Sequence, residues 1–326
     1  PQELLLSVAE ARLRLADIQF WHLGEEPEGL QQCEEAAALL RLFEDKDHPL
    51  AKLLLAQTEA HSGRYASLEG TGDRLAQGMR GRLRAEPLLE EAARAMPDDA
   101  RGWMWLADCR IRLSRNAHDV NQDLDAMYWW IEKANDAVER AMALRPNDTD
   151  VHNVAARCSM YTAYAHLDAG DERVYEALEE ASARAEALTA LGDTRGPVRE
   201  AQVLGIKARA LARDQRYEEA WTLMLDVISR FDQAILVDVR NKMPFRLAEV
   251  SRYWAARFYL EAAEEGLVLA PRDEALRLVN ETIAMHRERL ARGRTNESER
   301  AYLENDQALK RRLLELDVAD GRSGPP

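Results

Sequence analysis

The chain has 326 residues, 46% of them hydrophobic, and a formal net charge of −14. It can bury a sizeable core, but it is too acidic for a general nucleic-acid binder, whose phosphate contacts need a basic surface. The same charge argues against adhesion to anionic membranes, and no run of about 18 apolar residues offers a transmembrane helix. Only 16 glycines and 6% aromatics accompany abundant alanine, leucine and charge, a composition that predicts an all-α protein.

In chain order, Leu4, Val8, Ala11, Leu15, Ile18 and Trp21 recur at helical spacing, which predicts a helix over 2–23 stopped at Gly24. A second helix follows from about Pro27 with Cys33, Ala37 and Leu40 inward. A third runs from Pro49 to Gly63, where Ser62 to Tyr65 should turn the chain. Residues 64–84 hold four glycines and five arginines against Glu69 and Asp73, a local reversal of charge. An irregular surface loop is expected there, with a functional basic patch as the alternative.

From 85 to 107 one amphipathic helix ends at Pro97, an acidic pair turns the chain, and a second helix begins. Ala85, Leu89 and Ala92 share a face of the first; Trp103, Leu106 and Ala107 share a face of the second. Residues 114–127 are expected to interrupt the pattern. The run Tyr128-Trp129-Trp130 cannot turn every ring to a core, so at least one is expected at the surface. Asn147-Asp148 caps a helix from Thr149 to Asp168, and another follows over Glu172 to Leu191. Gly196-Pro197 opens the next pair, which carries Ala208, Tyr217 and Ala220. Helices are then expected over about 244–265 and 271–292. Asn296 and Glu299 form a capping box for a last one, with Tyr302, Leu309, Leu313 and Leu316 on its apolar stripe. Residues 319–326 have the composition of a disordered tail.

The small-large-small-proline series Ala85, Leu89, Ala92, Pro97, followed by Trp103, Leu106, Ala107, resembles the tetratricopeptide repeat (TPR). The run Arg216-Tyr217-Glu218-Glu219-Ala220-Trp221 is similar to the start of a TPR helix B. The resemblance implies an all-α, TPR-like α-solenoid of antiparallel helix pairs, with irregular insertions at about 64–84 and 114–127 and a C-terminal capping helix. One array would span 1–318, with its best repeats over 85–232. In such arrays small residues let helices approach to the lower end of the ~8–10 Å packing range, and each pair hides its apolar stripe only by stacking.

Little in the sequence suggests catalysis. HExxH, Walker A, nucleophile-elbow and kinase motifs are absent. Gly70-Thr71-Gly72 lacks the further glycine and preceding strand of a phosphate loop. The histidines are dispersed. Cys33, Cys109 and Cys158 lie far apart without CxxC spacing, so they are expected to be small buried residues rather than a disulfide or zinc frame. No cofactor, no metal and no enzymatic activity are expected.

The resemblance instead implies a non-catalytic scaffold that holds a protein or peptide partner on the inner face of each helix A. Counting from the anchored positions, that face carries Arg101, Asp108, Arg112, Asn153, Arg157, Tyr161, Arg209 and Arg213. The lysine and asparagine clamp that some TPR proteins use for C-terminal carboxylates is not reproduced. The alternative is a regulatory repeat module from a larger bacterial signalling enzyme, since ARLRLADIQFWHLG loosely resembles helical regions that follow serine/threonine kinase domains. The chain opens with Pro1, consistent with an excised piece. A cytoplasmic setting, or a periplasmic one, and self-association through terminal repeats complete the expectations.

Overall fold

The computed structural model describes the chain outside residues 1, 20–25, 44–46, 69–71, 238–241, 292–296 and 320–326. The proposed stop at Gly24, the Gly70-Thr71 half of the glycine run, the Asn296 cap and the tail from 320 lie outside the described residues. The described residues form thirteen α-helices and no strand. They fall into two compact units, one ending at Glu200 and the other beginning at Ala201.

The first unit contains α1 (Gln2–Ile18), α2 (Glu26–Arg41), α3 (Pro49–Leu68), α4 (Gly72–Ala95), α5 (Ala100–Asn121), α6 (Leu124–Leu144), α7 (Thr149–Asp168) and α8 (Val174–Ala190). Helix α1 packs on α2, α3 on α4, α5 on α6 and α7 on α8 as successive hairpins. The odd-numbered helices also meet one another, most extensively α5 with α7, which makes them one layer. Short connections force this antiparallel pairing. Between α5 and α6 only Gln122 and Asp123 intervene, with Gln122 left-handed at φ 54° and the Asp123 carboxylate capping the Ala126 N–H.

The turns between hairpins repeat in detail. Asp99 accepts from the Arg101 N–H at the start of α5, and Asp148 from the Asp150 and Val151 N–H groups at the start of α7. In both turns a ring nitrogen six residues beyond the proline bonds its carbonyl: Trp103 Nε1 donates to Pro97 O at 3.0 Å, and His152 Nε2 lies 2.7 Å from Pro146 O. These bonds fix the entry angle of each helix A while its cap satisfies exposed backbone donors.

The anchor residues behave as their spacing requires. Ala85, Leu89, Ala92, Trp103, Leu106 and Ala107 are all buried in one cluster with Ala134, Ala137, Ala141 and Ala155. Close approach is most evident at Gly102, where a Cβ would sit 3.0 Å from Ala93 Cα. A smaller cluster around Leu6, Leu13, Cys33, Leu40 and Leu54 joins the first two hairpins. The stripe Leu4, Val8, Ala11, Leu15 and Ile18, expected inward, is instead exposed, and α1 buries Leu6, Ala9, Leu13 and Ala16. Trp129 is half-exposed while Trp130 packs on the core, as the aromatic run demands.

Both expected interruptions are corrected. Helix α3 continues through 62–65 to Leu68, and α4 already begins at Gly72, so the segment 64–84 is helical over its described residues. Residues 114–127 lie in α5 and α6 except for the two-residue turn. The extra length is taken up by extending both helices of a hairpin, which keeps backbone donors bonded where an irregular insertion would expose them.

The second unit takes in α9 (Gly196–Arg213) from Ala201 onward, α10 (Tyr217–Val237), α11 (Lys242–Glu264), α12 (Arg272–Ala291) and α13 (Glu297–Ala319). Ala208, Tyr217, Ala220 and Trp221 are buried, and Trp221 meets Tyr259 of α11 at 5.9 Å. Arg252 of α11 bridges Asp232 of α10 and Glu281 of α12 at 2.8 Å each. On α13, Leu309 and Leu313 are buried, whereas Tyr302 is half-exposed and stacks on His286 of α12. A buried polar group joins three of these helices: His286 Nε2 lies 2.6 Å from Glu249 of α11 and 3.3 Å from Asp306 of α13.

Candidate partner-binding face

Six of the eight expected site residues lie on one face of α5 and α7 in the first unit. Arg101, Asp108 and Arg112 are spaced by seven and four residues, and Asn153, Arg157 and Tyr161 by four each, so each set lines one stripe of its helix. Towards the N-terminal ends of these stripes is a cavity of about 340 Å³ walled by the odd-numbered helices α1, α3, α5 and α7. Leu13, Met104, Trp105 and Val151 give it apolar surface, while Arg14, Arg101 and Arg145 oppose Glu10, Asp17, Asp148 and Asp150. Arg101 is not loose in it. The carboxylate of Asp99 accepts from Arg101 Nε at 3.0 Å and from Arg101 Nη2 at 2.7 Å, and Glu10 stands 3.6 Å away. Those bonds hold the Arg101 pKa above its ordinary value and aim its chain into the cavity.

Further along the same stripes the charges condense. Asp108 accepts from Arg112 Nε at 2.9 Å and makes a close ion pair with Arg157. Burial works against the Arg157 charge, but Asp108 and Tyr161 more than offset it and raise its pKa. Asn153 Oδ1 accepts from Arg199 Nε at 3.0 Å, which brings the first turn of α9 to the cluster. Arg82 of α4 also enters, with its carbonyl 3.6 Å from the Cys109 thiol. Burial, then the like charge of Arg112, lowers the Arg82 pKa to about 10. Burial, then Arg157, lowers that of Arg199 to about 9.

Arg209 and Arg213 belong to the second unit and are described there alone. The Arg209 guanidinium lies 4.5 Å from the Trp254 ring, with Arg257 at 4.9 Å from the same ring. Arg213 Nε donates to Asp214 at 2.8 Å. The second unit has its own hollow, of about 640 Å³, lined by α12 and α13 with Arg287, Lys310 and Arg311.

Arg82 and Arg199 were not among the sequence candidates. For Arg82 the signal was present in the run of arginines over 64–84; treating that run as a loop obscured it. Arg199 follows the Gly196-Pro197 helix start with no spacing that marks it.

No protein-family model matches the sequence, and no curated protein matches it. Similar solved structures include a thermophilic TPR protein of Thermus thermophilus, at TM-score 0.39 and 18% identity over 73% of this chain and 98% of that one. The human IFIT1 dimer with PPP-AAAA has TM-score 0.46 and 15% identity over 97% of this chain and 65% of that one. Yeast Tom70 has TM-score 0.37 and 12% identity over 97% of this chain and 66% of that one. With buried alanines at the repeat positions and proline-capped turns recurring between hairpins, the chain's own geometry decides the architecture. The fold is TPR-like. In the TPR-like first unit, helix A of each pair is an odd-numbered helix, and the cavity and the ion pairs of Asp108 with Arg112 and Arg157 both lie on the helix A layer.

The three cysteines are free and buried, and burial pushes each thiol up to about 12, far from a reactive thiolate. Among the described residues no group of three or more His, Cys, Asp and Glu could hold a metal ion, and no helix is long and apolar enough to cross a membrane.

Proposed function

We propose that the chain is a non-catalytic scaffold whose helix A layer in the first unit docks a segment of another protein. The supporting observation is the cavity between α1, α3, α5 and α7, where an indole, a thioether and aliphatic groups alternate with charges of both signs. An extended segment offers backbone amides and side chains of either charge at intervals that such a lining can match. The aromatic and arginine content suits anchoring, since buried Trp and Arg carry much of the energy at interfaces.

The test is affinity for peptides selected from a random library on the immobilised protein. Arg145→Glu alters an exposed wall of the cavity, and Trp105→Ala removes its largest apolar surface. Each is expected to weaken the selected peptides by about tenfold or more, or ~1.4 kcal/mol. Full affinity in both variants, with folding intact by circular dichroism, would place docking elsewhere.

A further inference from the structure

The hollow between α12 and α13 in the second unit differs in charge from the cavity of the first. Its lining carries Arg287, Lys310 and Arg311 and no carboxylate, in a chain whose formal net charge is −14. Other arginines of this unit pair with acids: Arg277 with Glu281, Arg257 with Glu261, and Arg312, next to Arg311, with Glu264. Among the described residues no hydrogen bond or ion pair engages the three cations of the hollow. The lining also has a regular spacing. On α12, Ile283, Ala284 and Arg287 follow Asn280 by three, four and seven residues; on α13, Lys310, Arg311 and Leu314 follow Gln307 by the same steps. Each set is therefore one stripe of its helix, and the two stripes wall one groove. Ile283 is buried as its floor, whereas Arg287 and Arg311 are exposed and Leu314 is 47% exposed.

We propose that this groove seats an amphipathic helix of another protein, acidic along both flanks of an apolar stripe. The site is separate from the docking cavity of the first unit and does not rest on it. Charge complementarity selects the acid: Arg287 on one wall, and Lys310 with Arg311 on the other, match Glu or Asp on either side of the incoming stripe. Ile283, Ala284 and Leu314 select the stripe itself, because they offer it surface that polar groups cannot use. Seven residues of helix span about 10 Å, so each wall accommodates about two turns of a helix laid along it, the helix-in-groove mode of recognition. A helix also satisfies its own backbone hydrogen bonds, whereas an extended segment would turn its amides towards alkyl groups. Nucleic acid suits the groove less well: its phosphates gain nothing from Ile283 and Leu314, and the acidity of the whole chain opposes a continuous polyanion.

Fluorescence anisotropy on the whole chain tests this with a labelled alanine-rich peptide of roughly 18 residues, long enough to be partly helical alone, with leucines on one face and glutamates on both flanks. Its controls are a twin with lysines for the glutamates, an isomer of the same composition whose leucines are scattered around the helix, and a single-stranded RNA. Saturable binding of the acidic peptide is expected, at least about tenfold tighter than that of any control. Arg287→Glu, Arg311→Glu and Leu314→Asp alter exposed side chains, and each is expected to weaken the peptide about tenfold or more with helicity unchanged by circular dichroism. No saturable binding to the wild-type chain, or equal affinity for the lysine twin or the scattered isomer, overturns the proposal whether or not a variant folds. Unchanged affinity in all three variants overturns its placement in the groove, and tighter binding of the RNA overturns the assignment to a protein helix. A dimer in analytical ultracentrifugation of the wild-type chain, dissociated by Leu314→Asp, would give the groove to a second copy and overturn the assignment to another protein.

Discussion

Replacing His286 by leucine is expected to destabilise the second unit by about 1–3 kcal/mol in urea unfolding, the cost of taking a polar partner from buried carboxyl groups. The imidazole is 2% exposed, Glu249 5% and Asp306 2%, so neither carboxylate has ready access to water. His286 Nε2 reaches both, at 2.6 and 3.3 Å, and so joins α11, α12 and α13 through one nitrogen. Without it two buried carboxyl groups would each lose a close polar neighbour in a poorly solvated interior. Adding Glu249→Gln to His286→Leu replaces one of those carboxyl groups by a neutral amide, and should recover part of the loss. A loss under about 1 kcal/mol for the single change, or no recovery in the double, would mean that the packing of the helices carries the unit without this group.

The second large effect is expected at Asp108. Asp108→Ala takes away the carboxylate between Arg112 and Arg157 and leaves Arg157, 9% exposed, among like charges. The expected cost is about 3–5 kcal/mol. One compensation separates this origin from simple loss of packing. Arg157→Met in the Asp108→Ala background removes the stranded charge and should restore stability in part, as coupled neighbours do. No recovery in the double variant would contradict that account of the ion pair.

The packing that makes the helical pairs was legible because it is local. Ala85, Leu89 and Ala92 repeat at three and four residues, as do Trp103, Leu106 and Ala107, and a helix turns such spacing into a buried face whatever lies beyond it. The cap at Asp148 was legible for the same reason. The segments over 64–84 and 114–127 were misread because glycines and a lapse of repeat spacing suggest loops, whereas hairpin partners in contact along their length favour longer helices. Of the site, the residues on α5 and α7 followed from counting along two helices. Arg82 and Arg199 join them only through tertiary packing, which spacing does not encode. His286, Glu249 and Asp306 sit on three helices with no sequence mark at all, and Tyr302, expected on the apolar stripe of α13, instead lies half-exposed over the His286 ring.

The central claim is that recognition occurs on the helix A layer of the first unit. Hydrogen–deuterium exchange of the whole chain, with and without a library-selected peptide at saturation, addresses it most directly. Added protection is expected in α1 around Glu10 to Asp17, in α3 around Gln57 to His61, in α5 from Arg101 to Arg112 and in α7 from Val151 to Tyr161. Protection confined to α2, α6 and α8, with those four stretches unchanged, would contradict it.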